Sequence, residues 1–167
     1  MEFDFTNHDI NTPEFTLSGK FLPGRLVDIT DGDSIVVVLP IFDNYYKYHV
    51  RINGIDTCEM KSKNEKNKKL ALTARCEVLK LVTNQEYNIN ISKADVKDAL
   101  NKNIYIVYLQ CKDFDKYGRL LADVFIDNKM IVSISKHLID KKLAYVYTGD
   151  TKLTEEQQIE IMSDNEH

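Results

Sequence analysis

The sequence predicts an α+β domain, mainly β, in which a five-stranded Greek-key barrel carries about three helices. Three observations point there. Strand-like runs, continuously apolar at 35–39 and alternating apolar and polar at 46–53, fill residues 25–53 and return after residue 103. Turn residues punctuate these runs, with Asp31-Gly32-Asp33 and the stretch from Asp113 to Gly118 reading as hairpins. One long helical pattern then separates the third strand from the fourth, an order that suits a small barrel without open sheet edges.

Taken in order, residues 1–15 are polar and aperiodic, broken by Asn11-Thr12-Pro13, and read as a flexible N-terminal arm. A first strand runs through residues 25–30 after Pro23-Gly24, and Asp31-Gly32-Asp33 turns it into the apolar run 35–39. Residues 40–44 lead into a third strand, where Tyr46, Tyr48, Val50 and Ile52 alternate with Lys47, His49, Arg51 and Asn53, placing Arg51 on the polar face. Gly54 permits a bend. Residues 64–82 are helical, with Ala71, Ala74, Val78, Leu81 and Val82 on one stripe, whereas 84–103 are polar and read as a long excursion without assigned structure. Strands at 104–112 and 120–126 form the second hairpin, with Arg119 opposite the apolar face of the latter. A short helix around 131–140, the segment Ala144-Tyr145-Val146-Tyr147, and a last helix with Thr154 and Gln157 as a capping box follow. The expected division is an arm at 1–15, one OB-fold (oligonucleotide-binding) barrel domain at 16–150, and a C-terminal helix and tail at 151–167.

Composition bounds the function. With 43% hydrophobic and 29% charged residues the chain is ordinary for a globular domain, not a disordered one. It holds no apolar run of membrane-spanning length, and its acidic start lacks the regions of a signal peptide, so a cytoplasmic protein without membrane attachment is expected. Cys58, Cys76 and Cys111 fit neither a disulfide framework nor a zinc pattern and read as free thiols. A net charge of −4 argues against indiscriminate binding to phosphate backbones. A nucleic-acid role needs a local basic surface, for which Lys61, Lys63, Lys66, Lys68 and Lys69 are candidates and equally a solvated helix start.

Unusual polar residues gather at three turns. Asp31 and Asp33 lie in the first hairpin, Asp56 and Glu59 follow the third strand behind Arg51, and Arg119 closes the second hairpin. An arginine facing two acids is by itself an ordinary salt-bridge cluster. Barrel closure brings such turns together, however, and the set then has a chemistry. Two carboxylates and a backbone carbonyl, completed by water and a phosphate oxygen, suit calcium or magnesium. Two arginine forks match the oxygens of a phosphodiester gaining charge, and a remaining glutamate can orient or deprotonate water. These are the parts of a metal-assisted phosphodiesterase.

At these residues the sequence resembles the staphylococcal-nuclease (thermonuclease) family over roughly residues 19–148. Asp31-Gly32-Asp33-Ser34 is similar to that family's DGDT turn, Arg51 with Ile55-Asp56-Thr57-Cys58-Glu59 to its Arg and DTPE segment, Asp115-Lys116-Tyr117-Gly118-Arg119 to its DKYGR, and Ala144-Tyr145-Val146-Tyr147 to its AYVY. The resemblance implies calcium held by Asp33, Asp56 and the Thr57 carbonyl, Glu59 beside the attacking water, and Arg51 and Arg119 on the phosphate. It also implies Lys116, Tyr117, Tyr145 and Tyr147 as nucleotide contacts, Asp31 as a supporting carboxylate, and single-stranded or locally open DNA, and RNA, as partners. Cys58 stands where the family has proline, which loosens the loop carrying Asp56 and Glu59. The rival reading is a non-catalytic nucleic-acid or protein-binding module on the same fold, and it is weakened because no acid or arginine of the set is missing.

Overall fold

The computed structural model describes residues 1–163. Its sheet is a closed barrel in the order β1 (Phe21–Asp31), β2 (Ser34–Ile41), β3 (Asn44–Ile52), β6 (Leu120–Phe125) and β5 (Ile106–Phe114). All neighbouring pairs are antiparallel except β3 with β6, which run parallel and close the cylinder through Val50↔Leu120, Arg51↔Leu121 and Ile52↔Ala122. This closure seats Arg51 beside the strand that Arg119 leads into. Alternate residues of every strand fill the interior, among them Leu26, Ile35, Val37, Leu39, Val50, Ile52, Leu109, Ala122 and Val124. The β2–β3 hairpin turns on Phe42 and Asp43, both at positive φ (50° and 60°), the twist that a two-residue hairpin loop demands.

Outside the barrel, β4 (Ile55–Asp56) pairs with β7 (Tyr145–Val146) as a separate two-stranded ribbon. Helix α1 (Glu65–Thr83) begins where the Asn64 side chain accepts from the Lys66 and Asn67 amides and ends at Asn84 in the left-handed region. Its patterned stripe is buried at Ala71, Ala74 and Val78 and half-buried at Leu81 and Val82, with Leu79 buried beside it. It also buries Asn67 and Arg75, which no apolar pattern marks. Helices α2 (Lys93–Asn101), α3 (Ile134–Asp140) and α4 (Glu155–Met162) follow, and α4 carries the capping box of Thr154 and Gln157 in full.

Two expectations change. The polar stretch 84–103 holds a helix, α2 (Lys93–Asn101), capped by Ser92, so the described residues have four helices. Only Val96 and Leu100 of α2 are buried, one stripe of a short helix against β1, too sparse to read as a periodicity. Arg51, read as lying on the polar face of its strand, is less open than such a face suggests. Its side chain leaves the barrel's outer face but is covered, at 7% exposure. The first 20 residues carry no helix or strand, and the expected tail after Ser163 lies outside the described residues.

Candidate active site

Two glycines set the backbone of the site. In the β1–β2 turn a Cβ on Gly32 would meet Ala74 Cβ at 2.7 Å and Thr57 Cγ2 at 3.2 Å, so this turn presses against α1 and the Thr57 loop only because it has no side chain. The Ile52 amide donates to the Asp33 carbonyl at 2.8 Å, which ties the turn to the end of β3. Gly54 sits at φ +82°, a conformation that reverses the chain out of β3 and sends Ile55 and Asp56 onto β7. Asp33 and Asp56, 23 positions apart in sequence, thereby reach the same guanidinium.

That guanidinium is the hub. Arg51 Nη2 lies 3.2 Å from Asp33 Oδ2 and 3.1 Å from Asp56 Oδ1, while Nη1 donates to the carbonyls of Ile52 (2.9 Å) and Ile55 (2.8 Å). The planar fork is therefore held by backbone on one side and carboxylates on the other. Burial pushes the Asp33 carboxyl up to about 6; Arg51 opposes the shift, and the neighbouring Asp56 and Asp31 carboxylates add to it. Burial likewise raises Asp31, against the pull of Lys93, Arg75 and Arg51. Asp56 takes a second donor on Oδ2, the Tyr145 hydroxyl at 2.5 Å. Burial, then this bond, pushes Tyr145 up to about 12.

Arg51 also opens onto a cavity of about 720 Å³ whose wall includes Arg119, Lys116, Tyr117, Tyr147 and Lys152. Asp115 fixes Arg119 there, accepting its Nε at 2.7 Å and its amide and that of Tyr117 at 2.9 Å each. Burial would raise Asp115, but these bonds win and hold it below the usual carboxylate range. The terminal nitrogens Nη1 and Nη2 of Arg119 have no protein partner among the described residues, so its fork points at whatever enters. The guanidinium also lies 5.6 Å from the centre of the Tyr117 ring.

The sequence-predicted residues are thus partly gathered. Arg51, Asp33 and Asp56 touch, and Arg51, Arg119, Lys116, Tyr117 and Tyr147 share the cavity. Thr57 is buried in the same loop, and Glu59 is exposed with no side-chain partner among the described residues. Asp31 is near enough to raise Asp33 but makes no side-chain hydrogen bond among the described residues. Tyr145, expected against a nucleotide, is turned inward at 8% exposure, beneath the site rather than on the cavity wall. Three contributors escaped the sequence reading: Asp115, Lys152, whose Nζ lies 3.2 Å from Asp56 Oδ1, and Asn67. Fully buried, Asn67 donates to Cys58 Sγ (3.5 Å) and Gln158 Oε1 (3.0 Å), tying the loop to α4. Asp115 lay within a quoted motif; nothing in the spacing pointed to the other two.

The donor set fits a hard cation. Asp33 and Asp56 offer oxygens only and are buried side by side, sharing Arg51, while the second cation, Lys152, reaches Asp56 from a half-exposed position. No cluster of three or more His, Cys, Asp or Glu side chains converges among the described residues, so the Thr57 carbonyl, water and substrate would supply the other positions.

A closed OB-type barrel with an arginine bridging two buried carboxylates, beside a cationic aromatic cavity, defines the thermonuclease-like class. The family model described as staphylococcal nuclease homologue matches residues 49–167, and the chain belongs to that family. It is 27% identical over 148 residues to an uncharacterized protein of Methanocaldococcus jannaschii, covering 87% of this chain and 69% of that one. It is also 27% identical over 162 residues to endonuclease YncB of Bacillus subtilis, covering 95% of this chain and 65% of that protein. The chain thus spans about two thirds of the length of these relatives.

Proposed function

We propose that this protein is a calcium-dependent nuclease that hydrolyses phosphodiester bonds of DNA and RNA by in-line attack of water. The observation that carries the reading is Arg51, which bridges Asp33 and Asp56 and lines the cavity shared with Arg119. Family membership and the likeness to an endonuclease support it. Asp33, Asp56 and the Thr57 carbonyl would hold calcium, which when bound supplies charge neutralisation for a phosphate oxygen and the attacking water. Arg119, through its open fork, and Arg51, through the Nε that has no protein partner among the described residues, orient the phosphodiester and donate to its oxygens as they gain charge. Glu59, exposed and unpaired, accepts the proton of the water it orients. Lys116, Tyr117 and Tyr147 position the flanking nucleotides through charge and ring faces, which favours unpaired bases.

The test is cleavage of plasmid, single-stranded DNA and RNA in calcium, magnesium or chelator. With so few protein ligands the site suits a large cation tolerant of 6–8 oxygens, so calcium should support cleavage and magnesium, which demands a tight octahedron, should inhibit. Asp56→Asn should raise the calcium requirement. Binding without cleavage in calcium would identify a non-catalytic module instead.

A further inference from the structure

Lys152 stands in the site yet has no part in the hydrolysis described above. Among the described residues Asp56, at 3% exposure, carries three donors: Arg51 Nη2 at 3.1 Å and Lys152 Nζ at 3.2 Å on Oδ1, and the Tyr145 hydroxyl at 2.5 Å on Oδ2. Two of these are fixed. Arg51 is held by the Ile52 and Ile55 carbonyls, and the buried Tyr145 has its oxygen engaged by the Leu153 amide at 3.3 Å. Lys152 differs, because its side chain is half-exposed and its other neighbour is the Tyr147 ring, 5.8 Å from the ammonium. Its backbone is anchored next door, by that same Leu153 amide, while its four-carbon stem is free to swing along the cavity wall it helps to form.

We propose that Lys152 is a tethered counter-cation of Asp56 that exchanges with the divalent metal. It neutralises Asp56 Oδ1 in the metal-free protein, and a cation binding that oxygen repels it into the cavity beside Arg51 and Arg119. The inference rests on the reading that Asp33 and Asp56 hold calcium. Asp56 Oδ1 already carries two cationic donors, and a divalent ion would be a third at contact distance, where repulsion is little screened. Of the three donors, only Lys152 leaves without breaking a buried contact.

The experiment is calorimetric titration of calcium into the full chain, without nucleic acid, for the wild type, K152M, K152R and D56N. K152M should bind calcium roughly tenfold more tightly than the wild type, while K152R, which keeps a tethered cation, should stay close to it. D56N should bind far more weakly than either. In parallel, the Lys152 side-chain Cε resonance, assigned by its loss in K152M, should shift as calcium is added. Equal or weaker calcium binding by K152M, with D56N still impaired, overturns the exchange and leaves the metal site standing. Calcium binding that D56N does not change overturns the metal assignment, and the exchange with it.

Discussion

At the scale of single residues the site divides into groups locked by the protein and groups left open to a substrate. Among the described residues Arg51 is locked on four acceptors, and the Arg119 side chain is locked only at Nε. Arg51→Lys and Arg119→Lys should each lower kcat by roughly a hundredfold or more, because lysine keeps the charge but loses the paired donors that Arg119 offers to substrate and the fork by which Arg51 holds Asp33 and Asp56 together. Near-normal turnover in both variants would sink their assignment. Arg51→Lys should also cost stability, since its backbone and carboxylate partners are buried, whereas Arg119→Lys should not. Glu59 is the opposite case: exposed and unpartnered, it gives the fold little, so Glu59→Gln should abolish most cleavage while the melting temperature holds. A matching collapse of stability would make Glu59 structural. The carboxylates and arginines were legible because turns and strand ends are where polar residues have no packing reason to recur. Lys152 was not, because a lone lysine before a helix is ordinary until the fold sets it on Asp56.

At the scale of elements, α4 acts on the site without reaching it. The loop from Thr57 to Glu59 carries cysteine where proline would stiffen it, and the stiffness comes instead from Asn67 on α1, which joins Cys58 to Gln158 and to the Glu155 carbonyl of α4. Ser62 adds a second tie, donating to Glu155 Oε1 at 2.5 Å. Asn67→Ala leaves Gln158 Oε1 buried without its donor, so a loss of about 1–3 kcal/mol is expected, checked by chemical denaturation. Cleavage should fall further than stability explains, with kcat affected more than KM, because the loop holding Glu59 loosens. An unchanged rate in the folded variant would show that the tie does not position the loop. Strands and capped helices were readable from their periods and caps. This tie was not, since it joins residues about 90 apart through a side chain that patterning counts as polar and exposed. Helix α2 stayed hidden for a related reason, burying just two apolar side chains.

At the scale of the molecule, a net charge of −4 coexists with a cavity edged by Arg51, Lys116, Arg119 and Lys152, a localisation that composition cannot express because folding creates it. Beneath that cationic rim lies the buried carboxylate pair, and its charge links stability to both pH and metal. Asp33 holds its proton more tightly in the folded chain, at about 6 against an ordinary 3.8. Its contribution to stability is therefore fully present below about pH 3.8 and lost as pH rises through about 6. Asparagine mimics the protonated carboxyl at all pH values. In chelator, Asp33→Asn should thus be more stable than the wild type at pH 7.5, by a shift on the order of 1–3 kcal/mol, and the gap should close as the pH approaches 4. Saturating calcium should reverse the order above pH 6, because the cation binds the ionised carboxylate that only the wild type has, and binding to the native state adds directly to its stability. Melting temperatures of both proteins from pH 4 to 8, with calcium and with chelator, test this. A gap that neither pH nor calcium moves would mean that Asp33 is ionised and compensated by Arg51 throughout, so that the pair is a salt bridge and not a seat for metal.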